Sequence, residues 1–265
     1  MDSLQRGLQL LRLFDLTTTS LSIAQVALRT GLPRPTAVRL VNTLVAERFI
    51  TAIEGTDLYR PGFACHQLGN AFLQNEALVR AASPVLGALA ERTGSSVCVG
   101  VRERLDMLFV LHLPRLGAND RPLQGATVPM AASLLGRVWL WAQPPHLQAD
   151  LIQQIRREVE PQYGRVAISA VYRAFHDLEI CGYCAEVNES SANDFTIAMP
   201  LQVRDTVNAA VSCTATLSDF NTPAAQSNLA NQLTDALEAI KKDIVRVDTT
   251  AAANAPAMER QALFQ

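Results

Sequence analysis

The chain is expected to fold as an α+β protein in two parts. An N-terminal winged helix-turn-helix leads through a linker helix to a domain whose antiparallel sheet is flanked by helices. Three observations predict this. Within the first 61 residues, helical periodicity is punctuated by Gly31, Pro33 and Pro35 and then gives way to a short hairpin. Beyond them, strand-like and helix-like runs are mixed, the pattern of an α+β domain. The length, 265 residues, exceeds what one domain of roughly 150 residues needs. At 49% apolar and 18% charged residues, the chain can bury more than one core.

From Ser3 to Leu16, Leu4, Leu8 and Leu11 recur at three- and four-residue spacing, an amphipathic helix with Ser3 as its N-cap. Thr17–Ser20 breaks the pattern. Ser22 caps a short helix, Ile23–Arg29, that turns Ile23, Val26 and Ala27 inward, and Gly31 ends it where a left-handed residue is wanted. Pro33 and Pro35 open a third helix, since proline is tolerated in a first turn. It runs to about Arg48 and buries Val38, Val41, Leu44 and Val45. Helix, glycine turn, helix is the helix-turn-helix arrangement. The period then shortens to two: Phe49–Ile53, a turn at Glu54–Asp57, and Leu58–Pro61 form the hairpin of a wing.

Gly62–Asn75 reads as a linker helix with Phe63, Leu68, Phe72 and Leu73 on an apolar stripe. Val79, Val85, Leu86 and Leu89 continue helical spacing across Pro84 as far as Thr93. Ser96–Val101 and Met107–Leu113 are strands about a charged turn, and Pro122–Val128 is a third. Ala131–Ala142 and Leu147–Glu158 are helical, and Ser169 caps a further helix that Gly182 ends. Strands follow at Tyr183–Val187, Phe195–Leu201 and Thr206–Thr216. A last helix, Ala224–Val247, carries Leu229, Leu233, Leu237, Ile240 and Ile244. The expected division is a DNA-binding domain over 1–61, a linker helix over 62–80, a sheet domain over 81–247 and an unstructured tail over 248–265.

The formal charge of −2 argues against a nucleic-acid partner only when taken as a total. Residues 1–61 hold seven arginines and five acids, whereas the remainder holds 16 basic and 20 acidic residues. No apolar run reaches the ~20 residues of a membrane-spanning helix, and the first residues lack a signal-peptide pattern. A cytoplasmic protein without a membrane partner is therefore expected. Five scattered cysteines, Cys65, Cys98, Cys181, Cys184 and Cys213, form no disulfide framework. Cys181 and Cys184 make a CxxC, but His66, His112, His146 and His176 supply no second pair of ligands at zinc spacing. These thiols read as structural, and no metal is expected.

On the third helix, Arg34, Pro35 and Thr36 occupy the first turn, from which recognition helices reach the major groove. Arg39 suits bidentate contact with guanine, Asn42 contact with adenine or phosphate, and Thr43 extends the same polar face. Ser22, Arg60 on the wing and Arg6 on the first helix complete the expected DNA contacts, the two arginines meeting phosphate.

The chain resembles the IclR family of bacterial transcriptional regulators from about Ser3 to Ile244. The resemblance is carried by Ser3–Leu8, by Gly31-Leu32-Pro33-Arg34-Pro35-Thr36-Ala37-Val38-Arg39-Leu40, and by Val128–Arg137. Gly182-Tyr183, Ile197–Leu201 and Ala209–Thr214 carry it through the later strands. Order and spacing along nearly the whole chain, rather than any one segment, make the match. It implies a GAF-like effector-binding domain, a homodimer or dimer of dimers, and ligand-controlled binding to double-stranded operator DNA. Many relatives control catabolic genes in response to small organic acids, and an aromatic carboxylate is the implied effector here.

The residues of the second domain suit that role. Ala131, Ala132 and Ser133 stand at a helix N-terminus, where free N–H groups favour an anion. Ser212 and Thr214 alternate onto one face of a strand. Glu186 and Glu189 lie where the family places polar pocket residues, Thr196 joins them where the family often has a small residue or cysteine, and Met130, Leu135, Phe109, Phe195 and Trp139 are apolar walls. Arg137 stands where the family usually has Lys, and Trp139 and Trp141 where it has smaller residues. The alternatives are a DNA-binding regulator with a vestigial sensor, or an enzyme using Ser133. No GxSxG elbow surrounds Ser133, and neither HExxH, a Walker motif nor a dinucleotide fingerprint is present. An enzyme is therefore not expected, and neither is a cofactor.

Overall fold

The computed structural model describes residues 3–115, 124–158, 161–187, 193–203 and 206–254. They form two compact units that divide between Glu76 and Ala77. The first contains α1 (Ser3–Leu11), α2 (Ile23–Thr30), α3 (Arg34–Ala46) and α4 (Phe63–Asn75), with β1 (Leu21–Ser22), β2 (Ile50–Ala52) and β3 (Leu58–Pro61). Leu10, Leu21, Val26, Ala37, Val41 and Ile50 form its core.

α1 stops five residues before the expected end at Leu16. The carboxylate of Asp15 accepts hydrogen bonds from the Thr17 amide, the Thr17 hydroxyl and the Thr18 amide at 2.6–2.7 Å, offering the backbone an alternative to another helical turn. Those bonds, the Thr17 hydroxyl foremost, hold the Asp15 carboxyl below the ordinary range. β1 was not expected; it pairs antiparallel with β3 and makes the wing a three-stranded sheet of order β1-β3-β2. α3 also ends early, at Ala46, and Val45 is exposed rather than buried. Arg48 then adopts a left-handed conformation, φ 61°, and the chain reverses into β2. A Cβ at Gly62 would lie 2.2 Å from the Arg48 carbonyl oxygen, so the wing can close on this reversal only with glycine there.

The second unit contains α5 (Ala77–Thr93), β4 (Ser96–Glu103), β5 (Asp106–Leu113), β6 (Thr127–Pro129), α6 (Leu134–Trp141), α7 (Pro145–Glu158) and α8 (Pro161–Cys181). β7 (Cys184–Val187), β8 (Asp194–Val203), β9 (Thr206–Thr216) and α9 (Pro223–Asn254) follow. All neighbouring strands are antiparallel, in the order β6-β5-β4-β9-β8-β7. On one face Phe109, Cys98, Ala198, Ala210 and Cys184 pack in a single cluster with residues of α6, α7 and α8. The alternate residues turn to the other face, where α5 and α9 pack and the Thr234 hydroxyl meets the Met199 sulfur at 3.5 Å.

Several boundaries differ from expectation. Ser169 lies inside α8 and does not cap it; the helix begins at Pro161, proline in a first turn. Its buried Ile168, Val171, Ala174 and Leu178 carry the helical period through Ser169. α6 begins at Leu134, not Ala131, because Ser133 takes the cap. β6 runs to Pro129, and residues 122 and 123 of the expected strand lie outside the described residues. α9 continues to Asn254, seven residues into the expected tail, through three alanines that favour helix. The rest of that tail, 255–265, lies outside the described residues.

Candidate DNA-reading face and effector pocket

The reading face is set by two turns. Ser22 and Gln25 form a reciprocal capping box at the start of α2, the Ser22 hydroxyl accepting from the Gln25 amide at 3.3 Å. The Gln25 side chain accepts the Ser22 amide at 2.8 Å. Gly31, φ 68°, then reverses the chain and Pro35 presets the first turn of α3. On α3, Arg34, Pro35, Arg39, Asn42 and Thr43 are exposed and Thr36 is half-buried. Arg39, Asn42 and Thr43 stand three and four residues apart, hence on one face. Among the described residues, the side chains of Arg34, Arg39, Asn42 and Arg60 have no intramolecular partner, so their donors are available. The Thr43 hydroxyl donates to the Arg39 carbonyl at 3.0 Å, leaving the Arg39 guanidinium unencumbered.

Two expected contacts are placed differently. Ser22 is buried and both its hydroxyl and amide are committed to the cap, so it does not join the exposed face. Arg6 is half-buried on α1, and its Nε is shielded from solvent without a hydrogen-bond partner. Replacing Ser22 by Ala is expected to lower stability by about 1 kcal/mol, the usual value of a serine cap, and leave operator preference unchanged. Thermal melts beside competition binding check this; a change of preferred base would return Ser22 to the reading face.

In the second unit, strand register decides which expected pocket residues meet. Ser96, Thr214, Thr196 and Glu186 are cross-strand neighbours in one row over β4, β9, β8 and β7. The Thr196 and Thr214 hydroxyls are 2.9 Å apart. Cys98, Ser212, Ala198 and Cys184 form the next row on the same face, the one that packs against α6. Ser212 is buried, and its hydroxyl has no hydrogen-bond partner among the described residues. Phe109, Met130, Ala131, Leu135 and Trp139 are buried in the cluster on this side.

Phe195 does not belong with them. It neighbours Thr196 along β8 and therefore points to the opposite face, where it stacks on Phe220 with ring centroids 6.5 Å apart. Ala132 is exposed at the mouth of the α6 turn. The Ser133 hydroxyl accepts from the Gly136 amide at 3.0 Å, so it is committed to capping α6. Glu189 lies outside the described residues. The thiols behave as structural groups: burial first, then the Asp177 carboxylate, pushes Cys184 up to about 11, and burial pushes Cys213 to about 12. Among the described residues no group of His, Cys, Asp and Glu is arranged to hold a metal, and no helix is long and apolar enough to cross a membrane.

Comparison with known proteins bears on both units. The IclR helix-turn-helix domain matches residues 3–53, and the bacterial transcriptional regulator IclR C-terminal domain matches residues 70–242. The chain belongs to the IclR family. It is 30% identical to the transcriptional repressor IclR of Escherichia coli over 145 residues, 52% of each chain, so that match spans about half of either protein. It is 25% identical to the acetate operon repressor of Salmonella typhimurium, over 72% of this chain and 84% of the other. An IclR family regulator from Brucella abortus superposes with TM-score 0.80 at 28% identity, covering 91% of this chain and 92% of that one. An IclR homolog from Microbacterium hydrocarbonoxydans complexed with 4-hydroxybenzoate shares the fold, with TM-score 0.74 at 22% identity, over 92% and 100% of the chains.

As an IclR-type protein the chain is a DNA-binding transcriptional regulator and not an enzyme. Its effector-domain match also gives context to charges that motif reading did not place in the pocket. Arg137, on α6, is buried and paired with Glu186 across the gap to β7. Arg115 pairs with Asp194 at 2.8 Å and bonds the Thr216 hydroxyl at 3.4 Å, while its amide donates to Ser96 at 3.0 Å. Arg102 stacks over Trp139, 5.6 Å from the ring centroid. One signal for Arg137 is present in the sequence: it is the only charge in the run Leu-Leu-Gly-Arg-Val-Trp-Leu-Trp, and a charge in a buried helix needs a partner.

Proposed function

We propose that this regulator binds its operator as a homodimer or dimer of dimers and controls catabolic genes in response to a small organic acid, an aromatic carboxylate. The carrying observation is the row of hydroxyls beneath α6. Ser212, buried as a residue, stands beside the Thr196–Thr214 pair, and its hydroxyl makes no hydrogen bond among the described residues. A ligand oxygen would satisfy it. The 4-hydroxybenzoate bound by the Microbacterium homolog supports an aromatic acid as the guest. In the reading unit, α1 leaves Leu4 and Leu8 exposed and α4 leaves Phe63, Leu68 and Phe72 exposed, apolar surface that a second protomer would cover. Two reading units on one palindromic site also offset the modest positive charge of each.

The test is titration of the full chain, bound to DNA selected from its own upstream regions, with 4-hydroxybenzoate, benzoate and their amides. Acids are expected to shift operator affinity while amides do not, with a footprint over two half-sites and a sedimenting dimer or tetramer. An unmoved affinity across the acids would leave a DNA-binding regulator with a vestigial sensor. A monomer at micromolar concentration would overturn the assembly.

A further inference from the structure

The Arg137 guanidinium is largely but not wholly enclosed. Its side chain is 8% exposed, whereas that of its partner Glu186 is 47% exposed. A guanidinium carries five N–H donors in a planar fork. Among the described residues only one side-chain bond is made, from Nη2 to the Glu186 carboxylate. Arg137 faces a crevice of about 240 Å³ between α6, α8 and β7, whose walls include Leu134, Ala174 and Cys184 and whose rim includes Arg173 and Asp177. Glu186 stands on β7, the last strand of the sheet, in register with Thr196, so the crevice borders the hydroxyl row.

This pair is asymmetric. A buried arginine must have an anion beside it, because an uncompensated buried charge is strongly destabilising. A half-exposed glutamate has no such need; when it swings away, water receives it. Glu186 is thus the exchangeable member. A free carboxylate can take its place on the fork and make both parallel N–H···O bonds. The Arg173 guanidinium lines the same crevice and has no partner among the described residues. The volume is below the roughly 300–1,000 Å³ of sites for drug-sized ligands, so it suits one small acid.

We infer that Arg137 is the carboxylate anchor of the effector site and that Glu186 is a resident carboxylate which an acidic ligand displaces. The inference rests on the acid-sensing reading above and adds its means of recognition: acids are distinguished from neutral analogues by competition with an internal acid. A ligand that cannot replace the charge of Glu186 leaves the pair intact.

Calorimetric titration of the full chain with benzoate and benzamide tests it, using wild type, Glu186→Gln and the double variant Arg137→Gln/Glu186→Gln. The double variant leaves neither charge orphaned and guards against loss of folding. With its competitor removed, Glu186→Gln is expected to bind benzoate on the order of tenfold tighter or more, and benzamide as wild type does. The double variant should no longer prefer the acid to its amide. Benzoate binding no tighter in Glu186→Gln than in wild type, or absent from every form, overturns the anchor. Operator affinity followed in parallel separates the two readings. A benzoate response in wild type that both variants retain unchanged keeps the sensor and removes the anchor. Tight benzoate binding by Glu186→Gln, with operator affinity indifferent to benzoate in every form, keeps the anchor and removes the sensor.

Discussion

Replacing Arg39 by Ala is expected to abolish much of the discrimination between operator and unrelated DNA while leaving the fold untouched. Arg39 is exposed on α3, its guanidinium has no described partner, and the nearby Thr43 hydroxyl is tied to its carbonyl instead. Truncation therefore removes no intramolecular bond. One bidentate arginine–guanine contact is worth about 1–3 kcal/mol of discrimination, and 1.4 kcal/mol is about tenfold. The loss is thus about 5- to 150-fold per half-site, and greater when two protomers read one palindrome. Arg60→Ala on the wing should behave differently. A phosphate contact carries no sequence information, so binding should weaken alike on all duplexes and the salt slope fall by about one. Anisotropy titrations on operator and scrambled duplexes at several salt concentrations separate the two. Undiminished selectivity in Arg39→Ala would move base reading to other residues of α3.

Gly136→Ala is the second substitution with a large expected effect, and it acts on folding. A Cβ at Gly136 would lie 2.2 Å from the Met130 carbonyl oxygen and 2.6 Å from its Cα. The obstacle is backbone, and it is pinned. The Met130 amide is bonded to the Leu105 carbonyl at 2.9 Å, the amides of Ala132 and Ser133 to the Pro129 carbonyl at 3.1 Å, and Met130 itself is fully buried. Relief requires α6 to move off the sheet, taking Arg137 from Glu186 and opening the core around Val138 and Leu140. The cost is expected near the top of the overpacking range, about 3 kcal/mol. Gly87→Ala in α5 is the control. Nothing lies within 4 Å of its added Cβ, so the change is expected to stabilise by about 0.5–1 kcal/mol. Urea unfolding of both variants checks the contrast; a Gly136→Ala midpoint equal to wild type would mean that the α6 turn yields freely.

Local features were the legible ones. Ser22, Gly31 and Pro35 act within one or two turns of themselves, and their types alone placed the ends of α2 and the start of α3. The hairpin was legible for the same reason, whereas β1 was not: two residues carry no period, and Leu21–Ser22 becomes a strand only because β3 lies beside it. The strand period alone places Phe195. This residue and Thr196 are neighbours in an extended strand, so they cannot face one cavity, and the period of two already said so. Ser133, expected at an anion site, instead accepts from the Gly136 amide and caps α6.

The proposed effector site was legible only as residue types. Glu186, Thr196 and Thr214 are far apart along the chain and became one row through the register of β7, β8 and β9. The partner of Arg137 lies 49 residues away, on a strand whose sequence says nothing about which helix will cover it. By itself, then, the sequence determined most of the elements, the exposed polar face of α3 and the family, because periodicity, capping and turn chemistry act over a few residues. Tertiary structure decided which polar groups share a cavity and which charge answers which. Strand register and helix packing are non-local, and a one-residue change of register would have turned the whole hydroxyl row to the other side of the sheet.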